Sequence, residues 1–500
     1  MWSYTLPKCF QGRVQMFWEK IMPLASSYPI SSSKFSLKFA DPETTEAVKT
    51  FEESIGTSDC PALAVLPENT YLANYVGTYD VEGKPGVKTL LSPEPVDPND
   101  NVIVLHYVDG SIDGGSSDDG SDDSSSDDGY IWEQVTDVEV DKNGFVWGTL
   151  INFSPIAVFT YCKEIHKETV PGFKKGGASC VVCEGNPVLV YENEDGNVVV
   201  KNTATGTEIT INPASESVIG GSVDGTFVKS TSVAVKGVTK NLGTICAGSV
   251  FVPTEDQAFA VVGSSSISVK DCTKISEVLG GSIGAVHTDD AYVVVENSTV
   301  DFTDNAKARN YVENKDMNPP TPDMTSPCWV RRCHTKITDS TITTCLFPGG
   351  GNGYVYIDEF ADAEVINTKI LYAQAGGSNG ICNNSTVIYR GNCEVENFSS
   401  VCRGTLWNSK SIVESGVKIK NLDILSPRGD AVDKSNGKVY NVTIEVNEGA
   451  NVEDLNVGCF DAQEATLDIV NEAVNWVKIS RSVSFNDKTN GLLGDKLIIK

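Results

Sequence analysis

Small corners that contain glycine return along the second half of this 500-residue chain, and this recurrence restricts the possible folds more than any other feature. The corners carry Gly221, Gly248, Gly281, Gly350 and Gly377, separated by roughly 30 residues or a multiple of that. Glycine suits a corner because it tolerates positive φ and the close approach of another backbone. A period of this size with short strands is typical of a β-solenoid, whose coils bury their apolar faces by stacking.

The segments between the corners share a loose internal repeat. Each copy has apolar residues at alternate positions, a short polar turn, a second apolar pair and a corner of small residues. Alternation with a period of two residues is typical of a β-strand with one buried face. We therefore predict a right-handed β-solenoid, or parallel β-helix, over residues 185–500. The clearest copies are Val233–Ser249, Ile267–Ser282, Val387–Gly404 and Val442–Cys459.

The first part of the chain has a different pattern, which predicts a β-sandwich module over residues 35–163. Its most apolar strand signal is Val102–Tyr107, and Glu43–Ile55 has the spacing of an amphipathic helix. Asp109–Gly129 consists almost entirely of Asp, Ser and Gly. Such a segment buries too little apolar surface to offset its chain entropy, so we predict a disordered acidic loop over 109–129. The fold class expected for the whole chain is all-β.

Two shorter stretches complete the domain organisation. We interpret residues 1–34 as an N-terminal attachment segment, with a helix packed on the next domain as the alternative. Residues 164–184 are predicted to link the module to the solenoid. Polar side chains interrupt the apolar residues of the first 30 positions, so this stretch lacks the pattern of a secretory signal.

The charge of the chain excludes one class of partner. It carries 39 basic and 67 acidic side chains, a net charge of −28. A protein this acidic repels phosphate backbones and anionic lipid surfaces, so we expect no nucleic-acid partner. The sequence contains no run of 18 apolar residues, so we also expect no membrane insertion.

Short motifs in the first part resemble a known module. They are His106-Tyr107, Trp132-Glu133, Asn143-Gly144-Phe145 and Phe153–Val158. Together they resemble a β-sandwich module of Firmicute surface and prophage-encoded proteins, which lacks the Asp/Ser insertion present here. The resemblance implies a spacer or display unit and carries no chemistry with it.

The second part has a resemblance of its own. Leu371–Gly380 and Val401–Thr405 resemble corners that recur in β-helical adhesin-like and phage virion surface proteins of gut Firmicutes. This chain departs from that pattern by placing Asn, Asp or Cys where many family glycines stand. The resemblance implies a structural or adhesive role at a surface.

The fourteen cysteines are scattered, without the density of a small disulfide scaffold, so reduced thiols are the simpler interpretation. The most specific local pattern is Cys162, His166, Cys180 and Cys183, of which the last two form a C-x2-C pair. Four such ligands predict a tetrahedral structural zinc site. The alternative is that these cysteines are ordinary strand residues, because Cys180–Cys183 is very apolar. No other cofactor is expected.

A weaker pattern comprises Cys328, Cys333 and His334, with Cys345 downstream. It follows the proline-rich stretch Pro319–Pro322, which is typical of a loop. We therefore predict an ordered surface loop here rather than a second metal site.

Carboxylates suitable for catalysis are plentiful but not patterned. Glycoside hydrolysis needs two carboxyl groups at a fixed separation, which a β-helical groove can supply. The candidates do not have a spacing that differs from solvated surface, so we expect no catalytic residues and a protein that is not an enzyme. A β-helical polysaccharide lyase or hydrolase is the enzymatic alternative. The candidates are Asp301, Asp358, Glu359, Asp362 and Glu364.

These features favour a non-catalytic structural and adhesive protein, located at a virion surface as a phage fibre or receptor-binding component. The alternative is a bacterial cell-surface adhesin. Expected partners are a cell-surface glycan or protein receptor and other virion or surface proteins. A homo-oligomer is also plausible because the end of a solenoid must be capped or paired.

Overall fold

The computed structural model describes two compact units, one ending at Glu164 and one that begins at Ile165. Strands dominate the described ranges, in which the α-helices are α1, Pro42–Ser54, and α2, Leu467–Ala473. The all-β prediction is therefore confirmed. The predicted attachment segment, 1–34, and the predicted acidic loop, 109–129, lie outside the described residues. Those residues are 42–81, 84–108, 131–151, 155–170, 178–254, 256–307, 328–350, 354–376, 379–400, 405–425, 439–457 and 466–500.

The first unit contains two small antiparallel sheets. Helix α1 and a short 3-10 helix, Pro61–Val65, precede the strands. One sheet has the strand order β1-β7-β3-β4 and the other has the order β2-β6-β5. The strands are β1 Thr70–Tyr79, β2 Lys88–Leu90, β3 Asn101–Val108, β4 Ile131–Gln134, β5 Val138–Val140, β6 Val146–Thr149 and β7 Ile156–Lys163.

Alternating side chains give the four-stranded sheet two buried faces. On one face, Phe51 of α1 stacks on Trp132 with ring centroids 4.0 Å apart. On the other face, Val104 and Val158 share a buried cluster with Val146 of the three-stranded sheet. The helix and the second sheet therefore cover opposite sides of the same sheet, as the sequence pattern around Val102–Tyr107 requires.

The second unit is built from two long sheets. Sheet I has 13 strands in the order β12-β11-β10-β14-β17-β20-β22-β24-β26-β28-β30-β32-β34, and sheet II has 12 in the order β33-β31-β29-β27-β25-β23-β21-β18-β15-β13-β9-β8. The strands are β8 His166–Val170, β9 Ala178–Val182, β10 Val188–Glu192, β11 Val198–Asn202, β12 Glu208–Ile211, β13 Ser217–Ile219, β14 Val228–Lys236, β15 Asn241–Cys246, β16 Val250–Phe251, β17 Ala260–Lys270, β18 Lys274–Leu279, β19 Ile283–Gly284, β20 Val286–Glu296, β21 Thr299–Asp304, β22 Cys328–Thr338, β23 Thr341–Phe347, β24 Tyr354–Ile366, β25 Lys369–Gln374, β26 Asn379–Arg390, β27 Glu394–Ser399, β28 Thr405–Val413, β29 Lys418–Asp423, β30 Val442–Val446, β31 Asn451–Asn456, β32 Val474–Ile479, β33 Asn486–Asp487 and β34 Leu497–Ile499.

From β13 onward the chain alternates between the two sheets. Each passage adds one strand to sheet I and one to sheet II, and consecutive additions to a sheet pair in parallel. Strands β16 and β19, which follow β15 and β18 in the chain, pair in parallel as a separate two-stranded sheet. At the other end of the series, β8 pairs antiparallel with β9, and β10 with β11 and β11 with β12. The stretch 164–184, predicted as a linker, thus contains two strands of sheet II.

Inward-facing side chains form the core of the second unit. Parallel pairing sets Val233 opposite Ile267 and Ile267 opposite Val293, so apolar groups from successive passages touch. They belong to one buried cluster that also contains Leu242 and Ile275 of sheet II. Each fully buried aliphatic side chain contributes about 2 kcal/mol of transfer free energy, so neighbouring passages stabilise each other.

Three of the predicted glycine corners, at Gly221, Gly248 and Gly281, stack directly on one another where the chain leaves sheet II. The N–H of Gly221 donates to the carbonyl of Gly248 at 2.9 Å, and the N–H of Gly248 donates to that of Gly281 at 2.8 Å. Ser282 Oγ accepts from the N–H of Ser249 at 3.1 Å. A Cβ on Gly248 would lie 2.6 Å from the Gly281 carbonyl oxygen. Close backbone approach therefore requires glycine here.

A second set of corners joins sheet I to sheet II through one residue with positive φ. That residue is Gly237, Asp271, Asn297, Asp339 or Asn367 in successive passages, with φ between 45° and 65°. Asparagine and aspartate tolerate this conformation better than other side chains. They also bond to each other, because Asn297 Nδ2 donates to Asp271 Oδ1 at 2.7 Å and Asn367 Nδ2 donates to Asp339 Oδ1 at 3.0 Å.

The loop prediction for Cys328, Cys333 and His334 is wrong. These residues lie on β22 in the middle of sheet I. Both cysteines face the core and are fully buried, whereas His334 faces outward. The two-residue alternation along this segment controls its structure, and the prolines that suggested a loop lie outside the described residues. Of the predicted corners, Gly377 also lies outside them.

Within the described ranges no helix has the length and apolar character needed to cross a membrane.

Candidate functional site

The outward face of sheet I carries side chains in rows, and these rows are the best candidate for a functional surface. Parallel in-register pairing sets Tyr292 opposite His334 and His334 opposite Asp362. Adjacent strands lie about 4.8 Å apart, so the side chains of a row contact each other. A row of this kind places together residues that are far apart in the sequence.

The first row consists of aromatic rings. The ring of Phe259 lies 4.5 Å from that of His287, which lies 4.4 Å from Trp329, and Trp329 lies 5.9 Å from Tyr356. We call these four residues the aromatic row. Because its inner rings stack on each other, they present their edges to solvent, whereas Phe259 at the end of the row is 45% exposed. Burial lowers the pKa of His287 below its ordinary value, so the row is uncharged at pH 7.

Apolar groups continue beyond the aromatic row. Ile381 lies opposite Tyr356 on the next strand and is 38% exposed. On β28, Trp407 stacks on Tyr440 with ring centroids 4.7 Å apart and ring planes 9° apart, and Trp407 is 46% exposed. We call the aromatic row together with Ile381, Trp407 and Tyr440 the apolar strip. From β20 to β26 the aromatic rings and Ile381 follow one line of register, and Trp407 lies on β28 two residues beyond Thr405, the partner of Ile381.

A charged cluster lies beside the aromatic row on the same face. Arg332 donates from Nε to Asp290 Oδ1 at 2.6 Å and from Nη2 to Asp290 Oδ2 at 2.7 Å. His334 Nε2 lies 3.8 Å from Asp290 Oδ1, and its ring stacks on Tyr292. Burial by itself would raise the pKa of Asp290, but the interactions with His334 and Arg332 outweigh it and hold the pKa at about 2. Asp290 is therefore ionised at neutral pH.

Asp362 also belongs to this cluster, and its pKa is shifted in the direction opposite to that of Asp290. Burial raises the pKa of Asp362 to about 6, against the opposing effects of the nearby His334 and of hydrogen bonding with Thr386. The N–H of Thr386 donates to Asp362 Oδ1 at 3.1 Å. Two carboxyl groups whose environments shift their pKa values apart are a recognised mark of functional sites, although structural ion pairs produce it too.

Amide side chains form a further row on this face. Asn408 Nδ2 donates to Asn384 Oδ1 at 2.9 Å, and Asn441 Nδ2 donates to Asn408 Oδ1 at 3.0 Å. Arg331 and Glu359 form an ion pair at 2.6 Å nearby on β22 and β24. Neutral amide groups and charged groups, which supply hydrogen-bond donors and acceptors, therefore flank the apolar strip.

Sheet II has a shallow cavity of about 620 Å³ on its own outward face. Its lining includes Lys369, Glu394, Lys418, Glu396 and Lys420. Glu394 pairs with Lys369 at 3.2 Å and with Lys418 at 3.3 Å, and Lys420 pairs with Glu396 at 3.0 Å. Because these charges pair with each other along the stack, the cavity is a weaker candidate than sheet I for a ligand site.

The residues of the predicted zinc site lie in different environments. Cys162 is on β7 of the first unit, and His166 is on β8 of the second. Cys180 lies on β9 and Cys183 directly follows that strand, and the two side chains belong to separate buried clusters. Burial raises the pKa of the Cys183 thiol, which disfavours the thiolate that zinc binds.

Among the described residues no group of three or more His, Cys, Asp or Glu side chains is arranged to hold a metal ion. Zinc binding stays a prediction, and metal analysis of protein purified without chelator would test it. Less than a tenth of an equivalent of zinc would refute it.

The structure collects most of the candidate carboxylates on one strand. Asp358, Glu359, Asp362 and Glu364 lie on β24 of sheet I, whereas Asp301 lies on β21 of sheet II. Sequence reasoning did not single out Asp290, Arg332 or the aromatic row. They could have been found by aligning the sequences of β20, β22 and β24 as copies of one repeat. In that alignment His287, Trp329 and Tyr356 occupy equivalent positions.

Comparison with known proteins finds no matching family model, no matching curated protein and no matching solved structure. The resemblances to Firmicute surface modules and to adhesin-like and phage virion proteins therefore stay predictions. A functional conclusion has to come from the outward face of sheet I itself.

Proposed function

We propose that residues 185–500 form a right-handed β-solenoid and that the protein is a non-catalytic structural and adhesive surface protein. The observation that supports an adhesive role is the apolar strip, which crosses successive strands on the outward face of sheet I. Phe259 and Trp407 each expose nearly half of their surface on this face, and aromatic residues are enriched at interaction surfaces.

The solenoid proposal has its own support in the two sheets. Successive passages add parallel strands to both, and the glycine corners stack in between. Parallel strands joined by crossovers in one sheet are right-handed in nearly all proteins, which favours the predicted hand. For the first unit we propose a β-sandwich display module, since its two antiparallel sheets share a buried cluster.

A stack of this kind suits a fibre or receptor-binding component of a virion. It presents many similar contacts along one face, so binding strength can come from several weak contacts rather than one deep pocket. The proposed partners are a cell-surface glycan or protein receptor and other virion or surface proteins. A bacterial cell-surface adhesin is the alternative that uses the same face.

Immunogold electron microscopy on the source culture, with antibody against the full chain, separates these possibilities. Gold on phage particles supports the virion component, and gold on the cell envelope supports the adhesin. Gold confined to the cytoplasm would refute a surface role of either kind.

One observation favours polysaccharide cleavage as a second candidate function. Asp290 is held ionised and Asp362 takes up a proton near pH 6, so a carboxylate and a carboxylic acid coexist on one face. In hydrolysis, Asp362 would protonate the leaving glycosidic oxygen as its bond to the sugar carbon breaks, and Asp290 would accept a proton from the water that adds to that carbon. Release of reducing ends by the wild type, abolished in Asp362→Asn, would favour the enzyme, whereas no release supports the non-catalytic role.

A further inference from the structure

We infer that the apolar strip on sheet I is a binding site for an uncharged carbohydrate chain that lies across successive strands. This inference rests on the proposed adhesive role and names the chemical class of its receptor. It depends on the accessible rings, on the polar side chains beside them and on the charge of the protein.

The accessible rings lie at the two ends of the part of the strip between β17 and β28. Phe259 has one neighbour in the aromatic row, His287, and Trp407 stacks on Tyr440. Each ring is nearly half exposed, so each offers surface to the apolar C–H face of a sugar. Five strand spacings separate β17 from β28, which is roughly 24 Å. An extended polymer can contact both rings at once, whereas a small molecule cannot.

Polar side chains beside the strip match the hydroxyl groups of such a chain. The amides of Asn384 and Asn408 and the charged groups of Arg331 and Glu359 lie on the same outward face. A carbohydrate hydroxyl both donates and accepts, so it can bond to either kind of group. Sites that combine rings with a few polar groups are typical of ligand recognition.

The charge distribution favours an uncharged polymer over an anionic one. The chain has a net charge of −28, which repels polyuronates and polymers containing phosphate. The two arginines beside the aromatic row are already paired, Arg331 with Glu359 and Arg332 with Asp290. They therefore lack the unpaired cationic charge that an anionic polymer would require.

The same geometry disfavours a protein partner at this strip. A stable protein interface buries about 800 Å² on each side around a continuous apolar centre. Here the inner rings, His287 and Trp329, stack face to face and present only edges. The exposed apolar groups Phe259, Ile381 and Trp407 do not form a continuous patch, because the stacked rings of the aromatic row separate Phe259 from Ile381, and Ile381 pairs with Thr405 rather than with Trp407.

Affinity electrophoresis of the full-length chain in gels containing one polysaccharide each tests the inference. The probes are three uncharged polymers, a β-glucan, a mannan and a galactan, with polygalacturonate as the anionic comparison. We expect retardation by at least one uncharged polymer and none by polygalacturonate. In Trp407→Ala and in Phe259→Ala, the affinity for that polymer should fall about tenfold, the size of effect that removal of one central contact produces.

Leu371→Ala is the matched control, because Leu371 is 45% exposed on the outward face of sheet II. It should bind like the wild type, and Trp407→Phe should recover part of the affinity that Trp407→Ala loses. Unchanged thermal unfolding of each variant shows that the loss is not a folding defect. The inference is overturned if no uncharged polymer binds, if polygalacturonate binds instead, or if all three alanine variants lose affinity equally. Surface labelling by immunogold together with no polysaccharide binding would overturn this inference and leave the proposed surface role intact.

Discussion

Replacement of Gly248 by alanine tests whether the stacked corners require glycine. An added Cβ would lie 2.6 Å from the carbonyl oxygen of Gly281 and 2.7 Å from its carbonyl carbon. Both are backbone atoms of the next passage, so the clash cannot be relieved by rotation of a side chain. Overpacking of this kind costs about 3 kcal/mol, and alanine returns up to about 1 kcal/mol by restricting the unfolded chain. We therefore expect a net local loss of about 2 kcal/mol.

Hydrogen–deuterium exchange is the appropriate assay because a stacked array need not unfold in one step. Peptides that span β15 and β18 should exchange about 30-fold faster in Gly248→Ala, which is the factor that corresponds to 2 kcal/mol. Gly237→Asn is the matched control. Gly237 has a φ of 65° and no atom within 4 Å of an added Cβ, and the equivalent corner carries Asn297 in a later passage.

The control should change stability by less than about 0.5 kcal/mol, because asparagine tolerates positive φ. The reasoning would be refuted if Gly248→Ala exchanged like the wild type. It would also be refuted if the two variants were equally destabilised, since only one of them creates a backbone clash.

Three further predictions concern titration and thiol chemistry. The pKa of Asp290 is lowered to about 2, so the stability that its ionised form contributes is present above pH 4 and is lost as pH falls from about 4 to 2. In urea titrations, the free energy of unfolding of Asp290→Asn should therefore fall less over this pH range than that of the wild type. The pKa of Asp362 is raised to about 6, so the folded state retains a proton between about pH 4 and 6 and stability falls as pH rises through that window. Asp362→Asn should remove this fall and unfold at a higher temperature than the wild type at pH 7. Nine described cysteines are buried and unbridged: Cys60, Cys180, Cys183, Cys246, Cys272, Cys328, Cys333, Cys382 and Cys393. An aromatic disulfide reagent should therefore modify them only after denaturant is added. Their rapid modification in the native state would contradict the fold.

The corners show how far the sequence can predict this fold. Gly221, Gly248 and Gly281 are recognisable as a recurring element because close backbone approach admits no other residue, and the structure stacks them. The second set of corners was not singled out, although Asn297-Ser298-Thr299 and Asp339-Ser340-Thr341 share a pattern. Several residue types tolerate the left-handed conformation, so that pattern is weaker than a glycine.

The strand β22 shows why local signals can mislead. Prolines before Cys328 and the spacing of Cys328, Cys333 and His334 suggest a loop. The alternation of buried and exposed residues from Cys328 to Thr338 is the stronger signal, because one face of sheet I packs on the core and buries every second side chain.

The candidate site was harder to predict than the fold. His287, Trp329 and Tyr356 become neighbours through parallel pairing between passages of unequal length. One passage includes residues 308–327 and the next does not, so a fixed period does not align them. The pKa shifts of Asp290 and Asp362 depend on the same alignment, because His334 lies between their strands.

Disulfide trapping across sheet I tests the alignment of strands on which the proposals for the second unit depend. Val294 lies opposite Lys336 in the parallel pairing of β20 with β22, whereas Glu364 lies one strand further along the same row. Paired residues on adjacent strands are within disulfide range, and residues two strands apart, at about 9.6 Å, are not. Peptide mass spectrometry of oxidised protein should find a bridge in Val294→Cys with Lys336→Cys and none in Val294→Cys with Glu364→Cys. A bridge in the second pair without one in the first would contradict the parallel stack.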